Sequence, residues 1–234
     1  MEINDNYFKH RGVQEGYYQN YIIPKHTLSV LPINKNASIL DIGCGLGQFI
    51  LALNQLGYQN CLGVDVSEEA ITGCAKSAVN AQKIDSIVQF AQGHNAKYDF
   101  IIMSHVLEHL PKEIVIETLA AIRTYLLKDG GKLFILVPNG QSNTGAYWMY
   151  EDFTHYTLYT AGSLRYVLNA AGYETVGFIN PDGTQFMLWW KKGIIKFLLM
   201  LYAARIDFWN LVTQSSYHKP SERIYTFELK ALAC

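Results

Sequence analysis

The feature that most constrains the fold is a glycine-rich turn between an apolar run and a helical pattern. Residues 38–50, SILDIGCGLGQFI, begin with a predicted strand that contains Asp41. Three alternating glycines follow, Gly43, Gly45 and Gly47. Glycine permits a positive φ and lets a ligand approach backbone that a Cβ would block. In α/β proteins a strand, tight turn and helix start of this kind binds nucleotide-like ligands, because free N–H groups face the crevice beyond the strand ends.

Length and charge exclude several classes of protein. With 234 residues, the chain fits one α/β domain with additions, so we expect residues 1–234 to form a single domain. The 19 Lys and Arg nearly balance the 20 Asp and Glu, which gives no electrostatic footprint for nucleic acid. The four cysteines lack paired metal-ligand spacing and no signal sequence precedes the chain, which predicts a cytoplasmic protein.

The most apolar part of the chain lies near its carboxyl end. Residues 197–204 are strongly apolar, but Lys196 precedes them and Arg205 follows. A membrane-spanning helix needs about 20 apolar residues, so we expect no transmembrane segment. The region 193–212, with its flanking lysines, is a candidate for peripheral membrane contact or a homodimer interface. The simplest hypothesis is that it covers the back of a ligand pocket.

Short apolar runs alternate with helical patterns along most of the chain. This alternation predicts an α/β fold with an open, doubly wound, mostly parallel sheet and helices on both faces. The last strand follows an excursion rather than a crossover helix, which allows it to enter the sheet antiparallel. The predicted strands cover residues 38–42, 61–65, 87–90, 98–103, 132–137, 175–179 and 225–231.

An acidic residue ends the second predicted strand. Asp65 lies about 20 residues past the glycine turn, the separation at which a carboxylate can accept both hydroxyls of a ribose. The glycines follow G-x-G-x-G, with Asp41 two residues before the first, whereas a dinucleotide fingerprint reads G-x-G-x-x-G. The spacing therefore disfavours an NAD-dependent oxidoreductase.

These motifs resemble those of the class I methyltransferases that use S-adenosylmethionine. The resemblance extends to an apolar fourth strand ending SHVLEHL and a fifth reading GGKLFILVPN, and it covers roughly residues 37–180 and the final strand. It implies a seven-stranded sheet of order 3-2-1-4-5-7-6 with the last strand antiparallel. It also implies S-adenosylmethionine as the cofactor and S-adenosylhomocysteine as the product.

The same resemblance implies roles for individual residues around the cofactor. The glycine turn passes under the methionine and ribose, Asp65 binds the ribose hydroxyls, and Asp41 helps to orient the loop and the amino-acid end. Val66 packs on the adenine, while two residues after the fourth strand border the sulfonium. The implied cofactor-binding set is Asp41, Gly43, Gly45, Gly47, Asp65, Val66, Ser104 and His105.

One departure from the family pattern concerns the adenine. Family members commonly place an acidic or amide side chain after the third strand, where it bonds the adenine amino group. The segment after the predicted third strand, AQGHNAK, contains no carboxylate. Gln92, His94 or Asn95 would then have to substitute.

Three segments lie outside the alternation of strands and helices. Residues 1–36, rich in tyrosine, are predicted to form an amino-terminal cap whose aromatics either pack on the surface or cover the cofactor. Residues 139–160 and 180–222 are predicted insertions on the acceptor side. Within the first insertion, EDFTHYTLYT before a helix ending AAGYE resembles the small-molecule and sugar-modifying branch of the family.

The loop around residue 155 contains the catalytic candidates. Methyl transfer to a hydroxyl needs alignment, exclusion of water and a base, and His155 can take the proton near neutral pH. A loop-organising hydrogen bond would explain this histidine equally well. Asp152 either orients His155 or caps a turn. Aromatic side chains in the loop either stack on the acceptor or pack on the sheet: Trp148, Tyr150, Phe153 and Tyr156.

A metal site is the alternative hypothesis for the motif SHVLEHL. His105 and His109 are four residues apart, and Glu108 lies beside them. Two histidines at that spacing on a helix can share one face. No third ligand is visible in the sequence, so we expect no metal and a buttressing role for His109.

The leading hypothesis is a cytoplasmic methyltransferase that O-methylates a small molecule, such as a sugar or polysaccharide precursor. One alternative is an NAD-dependent oxidoreductase. Another is a non-catalytic cofactor-binding protein whose aromatic loop contacts a partner. A nucleic-acid partner is not expected.

Overall fold

Seven strands form one sheet in the computed structural model, which describes residues 7–13, 20–216 and 222–234. The predicted residues Tyr17 and Tyr18 of the amino-terminal cap lie outside this described part of the chain. The strands are β1 Ile39–Ile42, β2 Cys61–Asp65, β3 Ala81–Lys83, β4 Tyr98–Ser104, β5 Leu127–Pro138, β6 Val176–Phe178 and β7 Glu228–Ala233.

The strand order and directions confirm the predicted fold class. The order is β3-β2-β1-β4-β5-β7-β6. β1 pairs in parallel with β2 and β4, and β2–β3 and β4–β5 are also parallel. β7 runs antiparallel to both β5 and β6. The carboxyl ends of β1, β2 and β4 therefore meet at one edge of the sheet.

Helices connect the strands and cover both faces. The α-helices are α1 Tyr7–His10, α2 Lys25–Leu28, α3 Gln48–Gln55, α4 Glu68–Lys76, α5 Ile87–Gly93, α6 Lys112–Ala121, α7 Gly145–Glu151, α8 Ala161–Ala170 and α9 Trp189–Val212. A 3₁₀ turn occupies Leu107–His109, and a π-helical turn, Ile122–Leu126, ends α6.

Alternating side chains along the central strands divide the core into two layers. In β1, Leu40 and Ile42 join one cluster of buried apolar residues, whereas Ile39 joins the other. β4 divides in the same way, with Ile101 in the first cluster and Phe100 in the second. Strands buried on both faces are typical of parallel sheets, which explains the continuous apolar runs in the sequence.

The predicted third strand is wrong. Residues 87–90 belong to α5, and β3 lies earlier, at Ala81–Lys83. Ile87, Phe90 and Ala91 recur at helical spacing and pack on the first cluster. β3 is an edge strand with mostly exposed side chains, so it produces no apolar run that would reveal it.

The ends of the fifth and last strands also differ from the prediction. β5 begins at Leu127, so the segment Asp129-Gly130-Gly131 lies within the strand rather than ending a helix. β7 begins at Glu228 rather than at Tyr225. Glu228 and Lys230 in this strand are buried, and Glu228 Oε2 lies 3.3 Å from Lys230 Nζ.

The two predicted insertions have different structures. Residues 139–160 contain α7 and the bonded loop that follows it. α9 spans 24 residues and buries none of them, which gives no support to the hypothesis that it covers a pocket. Among the described residues, no helix combines the length and apolarity needed to cross a membrane. Membrane contact or dimerisation through 193–212 stays a prediction.

The packing of Gly63 generates a stability prediction. A Cβ at Gly63 in β2 would lie 2.7 Å from Cys44 Sγ and 2.8 Å from Ile50 Cδ1. We expect Gly63→Ala to lower the free energy of unfolding by about 1–3 kcal/mol, the usual cost of overpacking. A Cβ at Gly177 in β6 would meet no heavy atom of the described residues within 4 Å. Gly177→Ala should therefore change the free energy of unfolding by no more than about 0.5 kcal/mol.

Urea denaturation of the two variants and the parent protein tests this difference. Equal effects at both positions would show that Cys44 and Ile50 have room to move away, and would contradict the tight packing of the glycine turn against β2.

Candidate cofactor and acceptor site

The glycine turn has the backbone conformation that its sequence predicts. Gly43, Gly45 and Gly47 have φ values of 73°, 54° and 80°, a region that other residues rarely adopt. A Cβ at Gly43 would lie 2.3 Å from Val106 Cγ2, so this glycine also allows the turn to contact the segment after β4. Gly43 N–H donates to Val64 O at 2.8 Å, which fixes the turn to β2.

Asp65 joins the glycine turn to the end of β2. Its Oδ2 accepts the Gly45 N–H at 2.9 Å, and its Oδ1 accepts the Ser67 N–H at 2.9 Å. Burial raises the pKa of Asp65 more than these hydrogen bonds lower it. Each carboxylate oxygen has a second lone pair, so the group can still accept the two hydroxyls of a ribose.

Asp41 is a buried carboxyl beneath the same turn. Burial, together with the negative charge of Asp65, raises the pKa of Asp41 to about 7. A cation placed beside the two carboxyls would relieve this repulsion, as the ammonium group of a methionine moiety would. Beyond Asp65, the side chain of Val66 is 42% exposed, and this apolar surface suits the face of an adenine ring.

With β3 at Ala81–Lys83, an acidic residue follows the third strand, beside the end of β2. Ile84 N–H donates to Asp65 O at 2.9 Å, which places the residues after β3 beside the end of β2. The next residue is Asp85, whose side chain is exposed. Asp85 therefore occupies the position for which Gln92, His94 or Asn95 was expected to substitute. Ser86 followed by a helical pattern was the sequence signal that could have revealed it.

Ser104 and His105, at the end of β4, differ in how far their side chains are available to a ligand. Ser104 ends β4, and its side chain is partly exposed. His105 has a φ of 57°, and its Nδ1 and Nε2 lie 3.2 Å from Glu108 Oε1 and 2.9 Å from Glu228 Oε1. Burial would lower the pKa of His105, but the two carboxylates raise it to about 10. Both ring nitrogens of His105 are therefore engaged by carboxylates, so neither is free to act as a base.

The acceptor-side loop is bonded directly to the turn after β4. Tyr156 N–H donates to Glu108 O at 2.8 Å. Gly140 N–H donates to Tyr159 O at 2.9 Å, and Tyr159 also forms a bridge with Asn139. These backbone bonds hold residues 152–156 at the same edge of the sheet as the glycine turn.

This docking brings His155 close to Glu108 and His109, which lie in a distant part of the sequence. One carboxylate oxygen of Glu108 and one ring nitrogen each of His109 and His155 lie within 4.8 Å of one another. Glu108 Oε1 bonds His105, whereas Oε2 is buried and has no hydrogen-bond partner. The sequence showed Glu108 and His109 but gave no sign that His155 would join them. His105 adjoins the cluster through Glu108 Oε1, and its other ring nitrogen contacts Glu228.

Both histidines of the cluster are held through Nδ1. His155 Nδ1 lies 2.7 Å from Trp148 O, a carbonyl that can only accept, so Nδ1 carries the proton. His109 Nδ1 lies 2.7 Å from Thr154 Oγ1, which itself donates to Asp152 Oδ1 at 2.6 Å. Thr154 therefore accepts from His109. In the neutral form of each ring, Nε2 then carries the lone pair.

Asp152 organises the loop. Its Oδ2 accepts from Tyr7 Oη at 2.6 Å and lies 3.1 Å from the Arg11 guanidinium. Burial would raise the pKa of Asp152, but the hydrogen bonds from Thr154 and Tyr7 lower it to about 2. His155 Nε2 is 3.9 Å from Oδ2, beyond hydrogen-bond distance, so Trp148 rather than Asp152 orients His155.

The amino-terminal segment spans both parts of the site. Phe8 N–H donates to Glu69 Oε2 at 3.1 Å, and the Phe8 ring would lie 3.4 Å from a Cβ at Gly45. Tyr7 in the same helix bonds Asp152. α1 therefore connects the glycine turn to the acceptor-side loop.

The aromatic side chains of the loop are mostly exposed. Tyr150 is 80% exposed and Phe153 is 94% exposed, so packing on the sheet does not account for them. Tyr156 is also exposed, and Trp148 is partly exposed. Their surfaces are available to a ligand.

Comparison with known proteins places this arrangement in a family. A family model described as a methyltransferase domain matches residues 15–177. This chain belongs to that methyltransferase family. The assignment confirms the family resemblance predicted from the glycine turn, Asp65 and the strands after them, and it supports S-adenosylmethionine as the cofactor.

Curated relatives match the chain over part of their length. A ribosomal protein L11 methyltransferase of Lactobacillus gasseri is 30% identical over 104 residues, which are 43% of this chain and 31% of that protein. A ubiquinone biosynthesis O-methyltransferase of Aromatoleum aromaticum is 32% identical over 130 residues, 50% of this chain and 53% of that protein. The chain thus spans between about a third and a half of these relatives.

A solved structure shares the fold over most of both chains. The SAM-dependent methyltransferase from Archaeoglobus fulgidus superposes with a TM-score of 0.61 and 21% identity, covering 85% of this chain and 86% of that one. The likeness confirms the predicted α/β architecture.

The buried carboxyl of Asp41 generates a pH-dependent stability prediction. The folded state binds a proton at Asp41 up to about pH 7, whereas an unfolded Asp has a pKa near 3.9. The ionised group therefore destabilises the cofactor-free fold increasingly as the pH rises from about 4 to 7. We expect Asp41→Asn to raise the free energy of unfolding by about 1–3 kcal/mol at pH 8, and by less at pH 5.

Chemical denaturation at the two pH values measures this effect. Asp99→Asn is the matched control of opposite sign, because Lys128 and Ser38 outweigh the effect of burial and lower the pKa of Asp99. A benefit of Asp41→Asn that is the same at pH 5 and pH 8 would contradict the raised pKa.

Proposed function

We propose that this protein transfers a methyl group from S-adenosylmethionine to a hydroxyl of a small molecule, such as a sugar or polysaccharide precursor. The observation that carries the proposal is the glycine turn bonded to Asp65, in a chain that belongs to a methyltransferase family. The acceptor class rests on the residues of the loop around His155.

The cofactor-binding residues fit the different parts of S-adenosylmethionine. The ribose hydroxyls would bond Asp65, and the adenine would lie on Val66, with Asp85 near its amino group. The amino-acid end carries an ammonium that the buried Asp41 would favour. The positive φ values of the three glycines leave the backbone open to close approach. When bound, the cofactor supplies an electrophilic methyl on a sulfonium.

A hydroxyl acceptor requires a group that removes its proton. His155 Nε2 has a free lone pair, and its side chain is only 5% exposed, so it can act on an enclosed acceptor. His155 Nε2 would take the hydroxyl proton as the acceptor oxygen receives the methyl from the sulfonium, which would leave S-adenosylhomocysteine as the product. Asp152 supports this step indirectly, through Thr154 and the loop.

The exposed aromatic side chains support a ring-shaped acceptor. Tyr150 and Phe153 offer flat apolar surfaces beside the loop, and such surfaces stack on sugar or aromatic rings. The curated relatives act on different classes of acceptor: one is named for a ribosomal protein and another for ubiquinone biosynthesis. The carbohydrate is therefore a proposal from this chain's own residues.

Ligand-binding and transfer assays distinguish the proposed methyltransferase from two other functions. Preferential stabilisation by NAD would favour an oxidoreductase. Cofactor binding without transfer to any acceptor would favour a non-catalytic binding protein whose aromatic loop contacts a partner. Family membership favours the methyl donor over both.

The effect of S-adenosylhomocysteine on the stability of the protein tests the proposed cofactor. S-Adenosylhomocysteine at about 100 times its dissociation constant should stabilise the protein by about 2.7 kcal/mol and raise its melting temperature. Asp65→Ala should abolish this shift because it removes the ribose acceptor. Glu113→Ala, an exposed acidic residue of α6, is the control and should keep the full shift.

Differential scanning fluorimetry with and without the ligand provides the measurement. Absence of a shift in the parent protein at saturating ligand would overturn the proposed cofactor. An unchanged shift in Asp65→Ala would remove Asp65 from the ribose site.

Methyl transfer tests the catalytic residue. Incubation of the protein with labelled methyl donor and a cell extract should label one small molecule, identified by mass spectrometry. With that acceptor, His155→Ala should lower the rate by about 10²-fold or more, the usual contribution of a general base. His94→Ala removes an imidazole that bonds Tyr98 instead, and should keep the parent rate.

The stabilisation by S-adenosylhomocysteine should be unchanged in His155→Ala, since the residue lies on the acceptor side. A rate equal to that of the parent protein would exclude His155 as the base.

A further inference from the structure

The cluster of Glu108, His109 and His155 combines features that a base alone does not need. Among the described residues, Glu108 Oε2 is buried without a hydrogen-bond partner, which is costly for a carboxylate. Each histidine is held through Nδ1 by an oxygen, so Nε2 is the nitrogen left for a ligand. Metal-binding histidines are oriented in this way, because the outer hydrogen bond fixes the tautomer and the ring direction.

We propose that Glu108, His109 and His155 bind a divalent transition-metal ion through one carboxylate oxygen and two Nε2 atoms. Two imidazoles and one carboxylate are the donor set of catalytic zinc sites and of open non-haem iron sites. One carboxylate oxygen of Glu108 and one ring nitrogen of each histidine lie within 4.8 Å of one another. Donors bound at about 2.0–2.2 Å lie roughly 3–3.5 Å apart, so small side-chain rotations complete the site.

Three protein ligands leave at least one coordination position for water or substrate. His105 Nδ1 lies 3.2 Å from Glu108 Oε1, which leaves Oε2 as the carboxylate oxygen available to the ion. Thr154 and Asp152 extend the support of His109 to the amino-terminal helix.

The role of the ion rests on the proposed transfer to a hydroxyl, whereas its binding does not. An acceptor oxygen in the open position would lose its proton more readily, because a metal ion lowers the pKa of a bound hydroxyl. With the ion bound, His155 would act as a ligand and the proton would leave to solvent; without the ion, Nε2 would be the base of the proposed transfer.

Titration with Co²⁺ tests the site without any acceptor. The full chain, without an affinity tag and after dialysis against a chelator, should bind one Co²⁺ per chain, with visible d–d absorption and a raised melting temperature. His109→Gln and His155→Gln should each weaken binding at least tenfold, as should Glu108→Gln. Thr154→Val, which removes the acceptor for His109 Nδ1, should weaken it by about 10–100-fold.

His94→Ala is the matched control, since it removes one imidazole outside the cluster and should bind Co²⁺ like the parent. Each variant is also tested with S-adenosylhomocysteine, and a retained shift shows that the variant is folded. Failure of that shift in the parent protein would count against the proposed function, not against the metal site. The metal proposal is overturned if the parent shows no saturable Co²⁺ binding, or if the cluster variants bind as tightly as His94→Ala.

Discussion

The bond between Asp65 and Gly45 connects the parts of this structure on which the site depends. A single carboxylate accepts N–H groups from the glycine turn and from the start of α4. It therefore holds two loops at the ends of adjacent parallel strands, where the topology leaves a crevice. The same loops give Asp41 its buried position, and the two neighbouring carboxyls create a local need for positive charge. The two hydrogen bonds that Asp65 accepts therefore shape the crevice in which we expect the cofactor to bind.

The acceptor side depends on a second connection, between the turn after β4 and a loop about 45 residues later. The Glu108 carbonyl accepts the Tyr156 N–H, and Thr154 accepts from His109. These bonds explain why polar side chains converge beside a buried strand end. α1 adds to them through Tyr7 and Phe8, one on each side of the crevice. α1 therefore contacts both sides of the crevice, and a cover over the cofactor stays a prediction for the amino-terminal segment.

The sequence predicted the features that local patterns determine. The glycine turn, Asp65 and the strand directions each follow from a short motif or from the alternation of strand and helix. The third strand was missed because an edge strand with exposed side chains has no apolar signature, and Asp85 was missed with it. The burial of Glu228 could not be predicted from its neighbours in the sequence, because its partner His105 lies 123 residues away.

The same reasoning explains why the cluster of Glu108, His109 and His155 could not be predicted. Ligands that lie close in sequence, like those of a helical motif, can be recognised by spacing, but His155 reaches the other two through tertiary packing of a loop. The absence of a visible third ligand was therefore no argument against a metal. A buried carboxylate oxygen without a partner and two rings anchored through Nδ1 become meaningful only when they are seen together. A buried carboxylate oxygen without a hydrogen-bond partner among the described residues is unfavourable, and a bound cation would remove that cost.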